Sequence, residues 1–346
     1  LTKAFITGLA GYELKAEEAR FLADEKPCGI ILFARNCQSH DQIRKLVAGA
    51  REAAGGHDLL VLIDQEGGRV QRLRPPLGRA LPPAAAYGEL HAQGGAGAER
   101  LTRNVARLLA ADLRDLGIDT DCAPVLDVPV AGAHAIIGDR AFASTPDLVA
   151  TLGGAFADGL MAGGVLPVVK HIPGHGRATK DSHLDLPVVT TPHATLTETD
   201  FSPFKALAHL PSAMTAHVIF TAVDPALPAS VSPVVHDRVI RGEIGFNGFL
   251  MSDDLSMHAL TGSLGERAAA VLRAGSDVAL HCNGNLAEMR EIAAIVPVVG
   301  GRALQRFQAA VAVTRARPVL ADADAAAIVA ALGSLIADRA ARAESV

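Results

Sequence analysis

The sequence predicts an α/β protein, a (β/α)8 TIM-type barrel of a single domain with a C-terminal helical appendage. Three observations predict it. Eight short, nearly continuous apolar runs alternate with longer amphipathic stretches over the first 300 residues, the alternation expected of a barrel. The runs lack the in-out alternation of half-solvated strands, so they read as parallel strands covered on both faces. No Gly-rich phosphate fingerprint follows the first run, which disfavours the alternative of a doubly wound open sheet.

In chain order the runs are KAFITGL near 3–9, CGIILFA near 28–34, LLVLID near 59–64 and IDTDCAPV near 118–125. VLPVVKH near 165–171, SAMTAHV near 212–218, GFLMSDD near 248–254 and SDVALHC near 276–282 complete the set. Between them, AERLTRNVARLLAADLRDLG, TPDLVATLGGAFADGLMAGG and GERAAAVLRAG carry helical periodicity, and the last two close on glycines that suit helix C-termini. The expected division is a barrel over 1–300 and two helices over 301–346 packed on it. With 49% hydrophobic residues but only 4% aromatics and no Trp, the core must be packed mainly by Leu, Val, Ile and Ala.

Composition also excludes functions. The net charge is −5, from 32 basic and 37 acidic residues, and no Lys/Arg run could track a phosphate backbone, so nucleic acid is not an expected partner. The opening LTKAFITGLAG has no basic start or long apolar core, and no stretch approaches 18 uninterrupted apolar residues. Neither export nor a membrane partner is expected, and the cytoplasm is the expected compartment. The four cysteines, Cys28, Cys37, Cys122 and Cys282, lack metal-pair spacing and read as reduced, mostly buried thiols.

Barrel enzymes place their chemistry at the C-terminal ends of the strands. Asp64 and Glu66 follow the third run, Asp127 the fourth, Lys170 and His171 the fifth, His217 the sixth, Asp253 and Asp254 the seventh, and His281 and Asn283 the eighth. These polar groups are therefore expected at one rim. The segment VVKHIPGHGRATKDSHLDLPVV, 168–189, starts and ends as a strand but holds His171, His175 and His183 between. A metal reading of these histidines is weakened by the Pro and Gly in HIPGH, which prevent a one-face helical ligand pair. Asp181 and His183, two apart, suit a proton-transfer pair in which the carboxylate fixes the tautomer of the imidazole. Spacing alone leaves DSH equally readable as a solvated turn. Gly174 and Gly176 would let the chain bend sharply there. In GFLMSDD, alternation would point one aspartate at the cleft and hold the other behind it. One carboxylate with one tuned proton donor is enough to cleave a glycosidic bond.

KHIPGHGRATKDSHLDLP and MSDDLSM, together with IDQEGGRVQRL at 63–73, APVLDV at 123–128 and GDRAFA at 138–143, resemble glycoside hydrolase family 3, specifically its bacterial single-domain β-N-acetylglucosaminidases of peptidoglycan recycling. The resemblance runs from about residue 3 to 300. It implies a (β/α)8 barrel and a retaining reaction with Asp253 as nucleophile and His183, paired with Asp181, as acid/base. It further implies Asp64, Arg72, Arg140, Lys170 and His171 as sugar-binding residues. The substrate class implied is N-acetylglucosamine-containing muropeptides; no metal and no cofactor are implied, and a monomer is the favoured state. Ile172 stands where relatives usually have Phe, and RATK is idiosyncratic.

Overall fold

The structure is a computed structural model that describes residues 1–56, 58–94, 97–180, 185–316 and 318–344. Its centre is a parallel sheet of nine segments: β1 (Lys3–Gly8), β2 (Pro27–Leu32), β3 (Leu60–Ile63), β4 (Thr120–Asp121), β5 (Leu166–Pro167), β6 (Val169–Ile172), β7 (Ser212–Thr215), β8 (Phe249–Asp254) and β9 (Val278–His281). The order across the sheet is β5-β4-β3-β2-β1-β9-β8-β7-β6. The two ends of the sheet, β5 and β6, belong to one apolar run, so the sheet curls into a nearly closed barrel.

The closure differs from a plain eight-strand ring. The expected fifth strand divides at Val168, whose N–H donates to the carbonyls of Asp121 and Ala123 at 2.9 and 3.0 Å. The half before the bend pairs with β4 and the half after it pairs with β7. The fourth run is likewise shorter as a strand than expected. Pro124 has no N–H to give to a ladder, and beyond it the run returns to β6 through a single bridge, Val125 to Lys170.

Both faces of the strands are apolar, which explains the continuous runs. In β1, Ala4 and Ile6 point inward, whereas Phe5 packs outward, its ring 5.9 Å from that of Phe21 on helix α1 (Ala16–Glu25). In β3, Leu60 and Leu62 face the barrel interior while Val61 and Ile63 join the outer core with α2 (His40–Ala53) and, further along the chain, Ala98–Asp115. Around the barrel the remaining helices follow their strands, including Pro146–Ala162 after β4 and Leu264–Ala274 after β8. The latter is started by Ser263, which accepts from the Glu266 N–H while Glu266 accepts from the Ser263 N–H.

The first C-terminal helix, Gly301–Thr314, does more than lie on the surface. Its Phe307, Ala310 and Val311 enter the interior core, with the Phe307 ring 5.5 Å from that of Phe249 at the start of β8. The N-terminal end of the barrel is thereby closed. The last helix, Asp322–Glu344, buries Ile328, Leu332 and Leu335 in the outer core. No helix among the described residues is long and apolar enough to cross a membrane. All four cysteines are unbridged and buried, as the sequence led one to expect.

Candidate active site

Of the polar residues expected at the strand ends, six (Asp64, Glu66, Lys170, His171, Asp253 and Asp254) meet in a cleft of ≈ 330 Å³ at the C-terminal mouth of the barrel. Asp64, Glu66, Arg72, Arg140, Lys170, His171, Asp253 and Asp254 all line it, with apolar wall from Phe33, Met214 and Met257. The volume lies at the small end of the roughly 300–1,000 Å³ usual for ligand pockets.

Asp64 follows β3 directly, and the chain then makes a tight hairpin, Gln65–Gly67 with Val70–Gln71. Gln65 secures it. Its Oε1 accepts from the N–H groups of Arg72 and Leu73 at 2.9 and 3.0 Å, and its Nε2 donates to the Leu73 carbonyl at 2.8 Å. This folds Arg72 back onto the strand end, where it donates to Asp64 Oδ2 at 2.8 Å and lies 4.8 Å from the Phe33 ring centre.

From the opposite side comes Lys170 on β6. Its Nζ donates to Asp64 Oδ1 at 2.9 Å and lies 2.7 Å from Glu66 Oε1. Arg140, in the short turn Gly138–Arg140, grips Glu66 with Nε and Nη2, both at 2.8 Å. Two carboxylates and three cations from three parts of the chain are thus interlocked. Burial by itself would raise the carboxyls of Asp64 and Glu66, but Lys170 with Arg72 or Arg140 outweighs it and holds both well below their ordinary values. The same pairing reverses the effect of burial on the Lys170 ammonium, which is held above its ordinary range by Asp64 and Glu66.

Next to this clamp, Asp127 is fully buried and acts as a hub. It accepts the His171 Nδ1 proton at 2.7 Å and the backbone N–H groups of His171 and His175 at 3.2 and 2.7 Å. Although burial raises its carboxyl, His171 more than offsets this, so Asp127 stays ionised and the Nδ1–H tautomer is fixed. Nε2 is left as the imidazole nitrogen for a ligand. His175, by contrast, is buried beside His171 and falls to about 4, so it is neutral at physiological pH. The bend expected at the two glycines is present: Gly174 has φ +143°, and at Gly176 any Cβ would lie 2.0 Å from the Val128 carbonyl oxygen.

The two aspartates of β8 both line the cleft, rather than one facing it and the other standing behind, and they differ instead in how firmly they are tied. Asp254 is tied down, its Oδ1 accepting from the N–H groups of Ser256 and Cys282, each at 3.1 Å, and its Oδ2 from the Ser256 hydroxyl. Asp253, half-buried in the cleft wall, accepts the Asp254 N–H at 2.8 Å. His217 and His281 are turned to other work: His217 Nδ1 lies 2.7 Å from Ser230 Oγ, and His281 Nε2 lies 2.9 Å from Glu288. Asp181 and His183 lie outside the described residues. No group of three or more His, Cys, Asp or Glu among the described residues is placed to hold a metal ion.

Sequence position puts Glu66 and Asp127 at the rim but assigns neither a role. Glu66 stands two residues after Asp64, the period that returns an extended chain to the same side, and that spacing is the signal that could have found it. Asp127 has no local signal, because its partners lie more than forty residues away.

A barrel closed at one end and lined at the other by interleaved carboxylates and cations carries its polar cleft where barrel enzymes carry their active sites. Residues 5–316 match the Glycosyl hydrolase family 3 N terminal domain. Two proteins named Beta-hexosaminidase, from Alkalilimnicola ehrlichii and Methylococcus capsulatus, are each 42% identical to this chain. The first match covers 80% of this chain and 79% of the relative, the second 80% and 81%. Among solved structures, NagZ from Neisseria gonorrhoeae in complex with N-trifluoroacetyl-D-glucosamine superimposes with a TM-score of 0.85 at 33% identity, covering 96% of this chain and 97% of that one. The chain belongs to glycosyl hydrolase family 3 and is a glycoside hydrolase.

Proposed function

We propose that the chain is a retaining exo-β-N-acetylglucosaminidase that removes non-reducing terminal N-acetylglucosamine from muropeptide fragments in peptidoglycan recycling. The β-N-acetylhexosaminidase activity is supported by the family and by the relatives that carry that name. The observation that carries the reading of the site is the meeting of Asp253 with the clamp of Asp64, Arg72, Arg140, Lys170 and His171 in one small cleft. The clamp supplies charge-assisted donors and acceptors for sugar hydroxyls and an acetamide. Asp253, on the far wall, attacks the anomeric carbon to form a glycosyl-enzyme, and water releases the sugar with its configuration retained. His183, oriented by Asp181, protonates the leaving oxygen and then activates the water.

In this reading residues 1–300 form the catalytic barrel and 301–346 its helical appendage, acting as a monomer in the cytoplasm without metal or cofactor. The test compares hydrolysis of 4-nitrophenyl N-acetylglucosaminide and glucoside, with and without phosphate, and follows the anomer released by NMR. Preference for the N-acetyl substrate, β product first and indifference to phosphate are expected; α product or preference for the glucoside overturns the proposal. A second measurement addresses the acid. A sugar alkoxide cannot depart without a proton whereas nitrophenolate nearly can, so His183→Ala should slow cleavage of a natural disaccharide far more than glycosylation by the aryl glycoside. Equal losses would make His183 a binding or structural residue.

A further inference from the structure

We propose that Glu66 is a positioning residue for sugar binding, acting through Arg140 and Lys170. The inference rests on the functional reading above. Each Glu66 oxygen is committed to a protein cation: Oε2 accepts Arg140 Nε and Oε1 accepts Arg140 Nη2, both at 2.8 Å, with Lys170 Nζ 2.7 Å from the same Oε1. Its side chain is 6% exposed and that of Lys170 3%. The carboxylate therefore has little left to offer a ligand, and its effect must pass through the two cations.

Without that charge the two cations lose their common partner. Among the described residues, the Arg140 guanidinium has one hydrogen bond independent of Glu66, from Nη1 to the Ile136 carbonyl at 3.2 Å. The guanidinium plane is set by a two-point grip, and a single contact at one corner leaves it free to rotate. Among the described residues, Lys170 retains Asp64 as its ionic partner, at 2.9 Å, and its ammonium shifts toward that side. Asp64 is itself shared with Arg72 at 2.8 Å, so the disturbance reaches the remaining cation of the clamp. Three chain segments that are distant in sequence meet through one carboxylate: the hairpin after β3, the turn after β4 and β6. Glu66 sets where the donors stand rather than touching the sugar.

Glu66→Gln preserves shape but removes the charge and turns one acceptor into an N–H that faces other donors. The expected result is a KM for 4-nitrophenyl N-acetylglucosaminide, and a Kd for N-acetylglucosamine by calorimetry, raised about ten- to a hundredfold. The kcat should change less than about threefold, since the reacting groups are elsewhere. The ratio of rates on good and poor leaving groups should be unchanged, unlike that for His183→Ala. In an Arg140→Ala background the same substitution should add much less than it costs alone; this double variant also carries no unpaired Arg140 if Glu66→Gln alone folds poorly. Glu66→Asp should recover part of the loss. A lower melting temperature with unchanged KM, or full additivity with Arg140→Ala, overturns the proposal. If the wild-type chain neither binds nor cleaves the N-acetyl sugar, the functional reading fails and this inference falls with it. A wild type that does both, beside an unaltered Glu66→Gln, overturns this inference alone.

Discussion

On the side of the barrel mouth built by β3 to β6, charged groups from different segments are locked to one another. Asp64 and Glu66 share Lys170, Arg140 holds Glu66, and Asp127 holds His171. On the side built by β7 to β9, side chains pair with side chains of the chain that follows their own strand, His217 with Ser230, Asp254 with Ser256 and His281 with Glu288. The strand ends there are joined through backbone groups, His217 Nε2 to the Asp254 carbonyl and the Cys282 N–H to Asp254 Oδ1, each at 3.1 Å. Locks between segments fix donors and acceptors against each other before a ligand arrives, which lowers the ordering cost of binding. Side-chain ties within a loop fix chiefly that loop, and backbone bonds between strand ends do not set one charged group against another. Asp253 belongs to the second side but lines the same cleft as the clamp. In the proposed division of labour, one side grips and the other reacts.

The largest effect expected from breaking this division is at Asp253. Asp253→Ala should lower kcat by roughly a thousandfold or more, as expected on removal of a covalent nucleophile, while N-acetylglucosamine binding stays within a fewfold of wild type. A 2-fluoro or 5-fluoro sugar should label Asp253, and mass spectrometry of the digested enzyme would locate the adduct. Label on Asp254 would reverse the roles of the pair.

A smaller, opposite loss is expected on the gripping side. Asp64→Ala removes the acceptor shared by Lys170 and Arg72. It should weaken binding of every substrate by about 1.5–3 kcal/mol, the worth of a hydrogen bond to a charged group, with kcat reduced far less than in Asp253→Ala. Calorimetry with N-acetylglucosamine measures this directly. Unchanged affinity would remove Asp64 from the grip and erase the contrast between the two sides.

Much of this arrangement could be read from the residues, because a strand covered on both faces must be apolar throughout and a barrel puts its strand ends at one rim. The apolar runs therefore located the staves. The division at Val168 and the shortening at Pro124 could not be read the same way, since they depend on which neighbour each N–H reaches across the barrel. At the site, Asp64, Lys170, His171 and Asp253 are marked by position at strand ends, and Arg72 and Arg140 by resemblance to a family. Glu66 and Asp127 are defined by partners on other segments. Their roles emerge only when Arg140 and His171 are in place beside them.

The mildest effect expected also sharpens the comparison, because it tests how much charge lies beneath the grip. Asp121, at the end of β4, is fully buried. Its Oδ1 accepts the Gln65 N–H at 3.0 Å, and its Oδ2 has no hydrogen-bond partner among the described residues. Burial pushes this carboxyl up to about 8, with Asp64 and Glu66 adding to the rise and the Gln65 N–H and Lys170 opposing it. An unfolded aspartate titrates near 3.9. Between those values the native chain holds a proton that the unfolded chain has lost, so this group makes stability fall as pH rises from about 4 to about 8 and contributes no further slope above. Asn has the shape of the neutral acid and no such proton. Asp121→Asn should therefore gain on wild type as pH rises through that window, by at most about 1.4 kcal/mol per pH unit, and the difference should level off above pH 8. Urea unfolding at a series of pH values measures it. Parallel curves for the two proteins would mean that Asp121 is already ionised at neutral pH, and that the gripping side carries one more negative charge than its interlocked pairs account for.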